Sequence, residues 1–173
     1  PCLLRSEGFA EGVKSVQPDA IVVASINGEA TPQIARAAAF DALSKTGDVD
    51  VIFAMDDETG QGAYQGYLDA GFDAETVRIA GFGLAGEHEK DWLMTRKALK
   101  VSQAMFPEYV GLRCVDGIIK LFNGEAVSER DVIPTVPMTA EMLEKFYPKK
   151  DGIWTPDFEV IAAIKMNGGC SKI

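Results

Sequence analysis

The stretch Val51-Ile52-Phe53-Ala54-Met55-Asp56-Asp57-Glu58 decides how this chain is read. It is an apolar run that stops abruptly at three acids. Its β-branched and aromatic start suits a strand buried in a parallel sheet. The residues that follow, Thr59 to Gly71, read as a helix closed by the Ala70-Gly71 stop. The unit is strand, tight turn and helix, with polar side chains at the strand's carboxyl end. In an open α/β sheet, ligands bind at that end.

Upstream, Phe9, Val13 and Val16 recur at helical spacing within Ser6 to Val16, while Gly8 and Gly12 argue against a long helix. Asp19 to Asn27 contains Ala20-Ile21-Val22-Val23-Ala24, which predicts a buried strand, and Asn27-Gly28-Glu29 predicts a turn. Thr31-Pro32 predicts a helix start, with Thr as cap and Pro at the first helical position. That helix carries Ile34, Ala37, Ala38, Phe40 and Leu43 and ends near Thr46-Gly47.

Downstream, Val77 to Phe82 reads as a strand and Glu87 to Lys97 as a weaker helix. Ala98 to Gln103 reads as a short strand. Pro107 to Asn123 is a strong helix with Val110, Cys114, Val115, Ile118, Ile119 and Phe122 as its apolar stripe. Val132 to Val136 reads as a strand broken by Pro134 and followed by Pro137, hence an edge or crossing segment. Thr139 to Phe146 is a short helix, and Phe158 to Ile164 fits either a strand or a helix. The tail also holds an Asn167-Gly168-Gly169 turn. Strands alternating with helices predict an α/β fold with a doubly wound, Rossmann-like parallel sheet.

The 173 residues suffice for one domain with its own core. Hydrophobic residues make up 47% and charged residues 25%, which excludes a disordered chain. The 26 acids and 17 bases give a formal net charge of -9, which repels phosphate backbones. Only the pairs Arg96-Lys97 and Lys149-Lys150 concentrate positive charge, so no nucleic-acid partner is expected. No apolar run reaches the ~18 residues of a membrane span. Cys2, Cys114 and Cys170 have no metal-ligand spacing and the single His88 has no partner His, so no metal is expected. One disulfide with one free thiol and three reduced thiols both fit.

At the predicted ligand edge, Asp56 ends its strand and can face the crevice, where a carboxylate accepts hydrogen bonds from hydroxyls. Asp57 and Glu58 read as first-turn acids that complement the helix dipole. Arg5, near a helix start, is mildly unfavourable to that dipole; its planar fork suits ligand oxygens instead. Asn27 lies at the same edge but also fits a plain turn. Gln103 ends a short strand before Pro107. Gly81-Phe82-Gly83-Leu84-Ala85-Gly86 matches G-x-G-x-x-G, yet the acids Glu87, Glu89 and Asp91 follow it. They are wrong for a pyrophosphate at a helix start, so no dinucleotide cofactor is expected. No nucleophile elbow, zinc-protease motif or Walker loop is present, and no enzyme is expected.

Several pieces in order resemble one family. They are Arg5-Ser6-Glu7-Gly8-Phe9-Ala10-Glu11-Gly12-Val13, Val23-Ala24-Ser25, and Phe53-Ala54-Met55-Asp56-Asp57-Glu58 with Gly62-Ala63 downstream. Ile79-Ala80-Gly81-Phe82, Gln103 and Asn123-Gly124-Glu125 follow. Together they resemble the ribose/galactose type of periplasmic sugar-binding protein, the solute-binding component of an ABC importer. The resemblance covers residues 5–140. It implies a type I periplasmic-binding lobe, two of which close on a sugar like a hinge.

The resemblance assigns ligand contacts to Arg5, Asp56 and Gln103, places Asn27 at the cleft and sets Phe82 against the sugar. It implies a monosaccharide or polyol ligand, a membrane permease as partner, a periplasmic location and no cofactor. Two positions depart from the pattern: Gly83 stands where the family has Asp, and Asp56 where Asn is common. Both point to a ligand other than ribose. The match begins inside the second lobe, so the lobe is expected to be incomplete. Residues 1–103 are expected to form the second-lobe domain without its first strand. The helix in 104–128 is expected to belong to a missing amino-terminal lobe, and 129–173 are expected to return to the second. The rival readings are the ligand-sensing domain of a lac-repressor-type regulator and a small α/β enzyme acting on a sugar.

Overall fold

Three parallel strands and one antiparallel edge strand form the central sheet of a computed structural model that describes residues 2–164. The chain runs α1 (Cys2–Val16), α2 (Pro32–Thr46), β1 (Val51–Phe53), α3 (Asp57–Asp69), β2 (Arg78–Gly83), α4 (Glu87–Met94) and β3 (Leu99–Ala104). It continues as α5 (Pro107–Phe122), β4 (Val136–Met138), α6 (Ala140–Phe146), β5 (Lys149–Lys150), β6 (Ile153–Trp154) and α7 (Phe158–Ala162). The sheet order is β1-β2-β3-β4, with β1, β2 and β3 parallel. Each parallel step needs a helical crossover, supplied by α3 and α4. Tyr64 of α3 meets Trp92 of α4, ring centroids 5.3 Å apart, so both crossovers lie on one side. The α/β expectation holds, with the sheet mixed rather than purely parallel.

The core gathers Val77, Ile79, Leu84, Leu93, Leu99 and Phe106 around the sheet. Beside it α2 and α3 pack unusually close. A Cβ on Gly62 would lie 2.3 Å from the Pro32 carbonyl oxygen, and one on Gly66 would lie 2.4 Å from that of Arg36. Only hydrogen fits there, and Ala35 and Ala39 complete the seam. The Arg36 guanidinium closes it with a bidentate pair to Asp69, at 2.5 and 3.0 Å.

Local sequence explains most ends. Asp56 caps α3, and Gly71 follows it with φ of +86°. Thr31 holds the N-cap position of α2 as expected, but its hydroxyl donates to the Glu29 carbonyl instead of capping. The Asp151-Gly152 pair, both at positive φ, turns β5 into β6 as a tight hairpin.

Several expectations need correction. Residues 20–24 form no strand, and Ile21 is 81% exposed. A strand exists through its ladder; β1 pairs only with β2 among the described residues, and this segment finds no neighbour. The first helix starts at Cys2 rather than Ser6. The strand expected over 132–136 runs instead over Val136–Met138 and includes Pro137, opposite Gln103. An outer strand has one unladdered side, which accommodates proline. The helix expected to reach Lys97 stops at Met94, and Arg96 at φ 57° turns the chain. The segment from Phe158 is helical, capped by Asp157.

α5 has no buried residue, and its apolar stripe stays open, with Phe122 at 88% exposure. Cys114 on it is exposed and forms no disulfide among the described residues. Cys170 and the Asn167-Gly168-Gly169 turn lie outside the described residues.

Candidate ligand-binding site

Arg5 reaches the carboxyl ends of all three parallel strands. It leaves the first turns of α1, and its Nη1 donates to the Met55 carbonyl just beyond β1, at 2.8 Å. Its guanidinium carbon lies 3.8 Å from the centroid of the Phe82 ring in β2. Its Nη2 approaches Met105 Sδ, just beyond β3, at 3.9 Å. One strong acceptor is engaged among the described residues, so most of the five N–H groups face weak acceptors or solvent. A cation over an aromatic face is attracted by the ring quadrupole, which holds the fork in place.

Gln103 stands directly opposite Phe82 in the β2–β3 register. Its Nε2 donates to Thr135 Oγ1 at 2.8 Å, tying β3 to the segment that enters β4. Asp56 follows Met55, so its backbone is next to the carbonyl that Arg5 grips. Its Oδ1 accepts the Thr59 N–H at 2.7 Å, the capping bond of α3. Its other carboxylate oxygen makes no hydrogen bond among the described residues. Asn27 is exposed, and its Oδ1 accepts the Glu29 N–H at 3.1 Å. That is an Asx turn, the plain structural role.

The structure therefore brings Arg5, Phe82, Gln103 and Asp56 to one sheet edge. Asn27 stays on a separate loop with its side-chain oxygen occupied. His88 is a surface residue, its side chain 71% exposed.

Two features escaped the sequence reading. Asp57 does more than complement a dipole: its carboxylate accepts the Leu84 and Ala85 N–H groups at 3.0 and 2.9 Å. Those amides belong to the G-x-G-x-x-G stretch, so an internal carboxylate already takes the place of a bound anion. Burial pushes the Asp57 carboxyl above the ordinary range; the two N–H donors oppose this, and Glu89 and Glu58 add to it. The second feature is Lys90, 1% exposed. Its ammonium donates to the Ala85 carbonyl at 3.1 Å, pairs with Glu108 at 3.6 Å and lies 4.3 Å from the Tyr147 ring centroid. The Tyr147 hydroxyl in turn donates to Glu108 at 3.0 Å, and burial followed by Glu108 pushes its pKa upward. A lysine at i+4 from Gly86 gives little sequence signal for such burial. The Asp57 latch had one signal, a glycine at 83 where the resembling family carries a side chain.

No group of residues suited to a metal ion occurs among the described residues, and none of their helices is long and apolar enough to cross a membrane.

No protein-family model matches the sequence, and no curated protein matches it. Solved structures do. A Mycobacterium smegmatis protein in complex with β-D-fucofuranose is 27% identical, with a TM-score of 0.69 over 80% of this chain and 44% of that one. An ABC transporter periplasmic solute-binding protein from Actinobacillus succinogenes with bound D-allose is 18% identical, with a TM-score of 0.70 over 79% and 47%. An ABC transporter solute-binding protein from Agrobacterium vitis with bound D-fucose is 20% identical, with a TM-score of 0.69 over 87% and 50%. The chain spans half or less of the length of each. Its fold is that of a type I periplasmic-binding lobe, and the structures it is similar to include sugar-bound solute-binding proteins of ABC transporters.

Proposed function

We propose that this chain carries the sugar-binding face of one lobe of a periplasmic solute-binding protein, which captures a monosaccharide or polyol and presents it to the permease of an ABC importer. The observation that carries this reading is Arg5, whose donor fork is held across three strand ends and over Phe82. A planar donor fork beside an aromatic face and a carboxylate suits a polyol, which offers hydroxyl acceptors, donors and an apolar C–H face. Gln103 and Asp56 add an amide and a carboxylate at the same edge. Asn27 would contribute through its side-chain N–H donors, since its Oδ1 is held in the turn.

The open stripe of α5 supports the same reading: residues 104–128 serve a partner lobe, while 1–103 and 129–173 serve this one. Function is capture and closure, with no bond made or broken. Calorimetric titration with D-fucose, D-allose and D-galactose tests it. Binding of at least one sugar, weakened about tenfold or more by Arg5→Ala, is expected, as for loss of a charge-assisted hydrogen bond. Equal affinity in wild type and Arg5→Ala overturns the site.

A further inference from the structure

Asp57 and Gly83 meet at the loop between β2 and α4. Asp57 opens α3 and aims its carboxylate across to that loop, one oxygen on the Leu84 N–H and the other on the Ala85 N–H. Gly83 sits at φ 129°, a conformation that favours glycine. A Cβ there would lie 2.6 Å from Oδ2 of Asp57 and 2.9 Å from its Cγ. The carboxylate stands where a side chain at 83 would stand.

Helix-start chemistry does not require this. Asp56 already caps α3, and a solvated Asp57 would serve the dipole equally well. The carboxylate is instead drawn in among Glu58 of its own helix and Glu89 of α4, which is itself bonded to Gln61 and His88. Both neighbouring acids oppose its charge, and burial opposes it further. What holds it is the pair of amides, which would otherwise lack acceptors in a half-buried loop. Lys90 grips the same loop from the other side, through the Ala85 and Gly86 carbonyls at 3.1 and 3.4 Å.

The residue before this loop is Phe82, under the Arg5 guanidinium. Leu84, just after Gly83, is fully buried. We propose that Asp57 is a positioning residue: by holding the Leu84 and Ala85 amides it fixes Phe82 beneath Arg5, and Gly83 is the residue that leaves room for it. Its value for sugar capture rests on the function proposed above, but the latch itself is independent of any sugar.

The test is nuclear magnetic resonance on the full chain without sugar. In Asp57→Ala the Leu84 and Ala85 amides exchange about tenfold faster or more, as expected when hydrogen-bonded amides lose their acceptor. The Arg5 side-chain protons lose their ring-current shift from Phe82, while the Tyr67 amide in α3 keeps its rate. Asp57→Asn, which retains one acceptor oxygen, falls between the two and remains usable if the alanine variant does not fold. In the wild type, acid titration moves the Leu84, Ala85 and Arg5 signals together; in Asp57→Asn that step is absent. Release of the amides with the Arg5 signal unmoved overturns the proposal, as does an Arg5 signal that shifts without the amides. Wild type that shows the coupled signals yet binds no sugar supports the latch and removes the proposed function instead.

Discussion

The rings of Phe9 in α1 and Phe53 in β1 lie face to face, centroids 4.3 Å apart and planes within 8°. No described side chain of α1 is fully buried, so this stack and the Arg5–Met55 bond are its firmest attachments to the sheet. Arg5 sits one turn before Phe9, and the stack therefore sets where the guanidinium falls. Phe9→Ala is expected to cost about 1–2 kcal/mol, the worth of an aromatic pair plus part of its burial. Urea denaturation with far-ultraviolet dichroism checks this. Loss below about 0.3 kcal/mol, smaller than an ordinary aromatic pair, would mean that α1 is held by other contacts.

Asp56 carries two roles that substitution can separate. It caps α3 through the Thr59 N–H, and the proposed function gives its carboxylate a second role as a ligand acceptor. Asp56→Ala is expected to lose about 1 kcal/mol of stability, as caps do, while Asp56→Asn stays within a few tenths. Both variants are expected to weaken sugar binding, because neither presents a free carboxylate oxygen. Denaturation beside calorimetric titration reads the two effects apart. An asparagine variant with wild-type affinity would confine Asp56 to capping.

The sequence made the αβ alternation legible because each signal was local: the cap at Asp56, the stop at Gly71, the stripe on α5. Strand ends place Phe82 and Gln103 side by side through topology, whereas Arg5 comes to them from α1 by way of the Met55 carbonyl. Residues 20–24 misled because a β-branched run predicts a strand only when a neighbour shares its ladder, and that is not a local property. The Asp57 latch and the buried Lys90 were hidden because each depends on a partner 27 or 18 residues away in sequence. The Asp151-Gly152 hairpin was local, with a strong turn signal, and went unread between the helix ending at Phe146 and the segment from Phe158.

Asp57 also sets a pH dependence with a definite sign. Its carboxyl is pushed above its ordinary value in the fold, chiefly by burial. The native state then holds its proton where the unfolded chain has released it. The stabilising contribution is full below the ordinary Asp value and is lost as pH rises through the raised one. Asp69, Asp91 and Asp116 work the other way: their carboxyls are held low, by Arg36, by Trp154 with Lys149, and by Lys120 respectively. Their contribution is present at neutral pH and lost in acid. Asp57→Asn removes only the first effect. The stability of the variant relative to wild type is expected to rise as pH increases across the window above the ordinary Asp value. Denaturant midpoints at a series of pH values check it, and a constant difference would show that Asp57 titrates normally.

Lys90 joins α4 to the start of α5 through Glu108 and to the Ala85 carbonyl. Lys90→Met keeps most of the volume but strands buried acceptors. The expected cost is about 1–3 kcal/mol, below that of a fully buried pair because Glu108 is partly solvated. Lys90→Ala should cost more, since it adds a cavity. Equal stability of Lys90→Met and wild type would show that Glu108 and the loop find water instead.

The open face of α5 can be tested by comparing two aliphatic residues in one fold. Leu93 of α4 is 0% exposed, and Ile118 of α5 is 53% exposed. A buried leucine cut to alanine costs about 2–5 kcal/mol, whereas a surface change stays within about 0.5 kcal/mol. Leu93→Ala should therefore approach the limit of what the chain tolerates, and Ile118→Ala should be nearly silent. The comparison bears on function because the stripe is proposed to serve a partner lobe. If Ile118→Ala costs as much as a core residue and the cost depends on protein concentration, the stripe is already covered by another copy in solution. If it is silent, the face is open and available to the partner lobe.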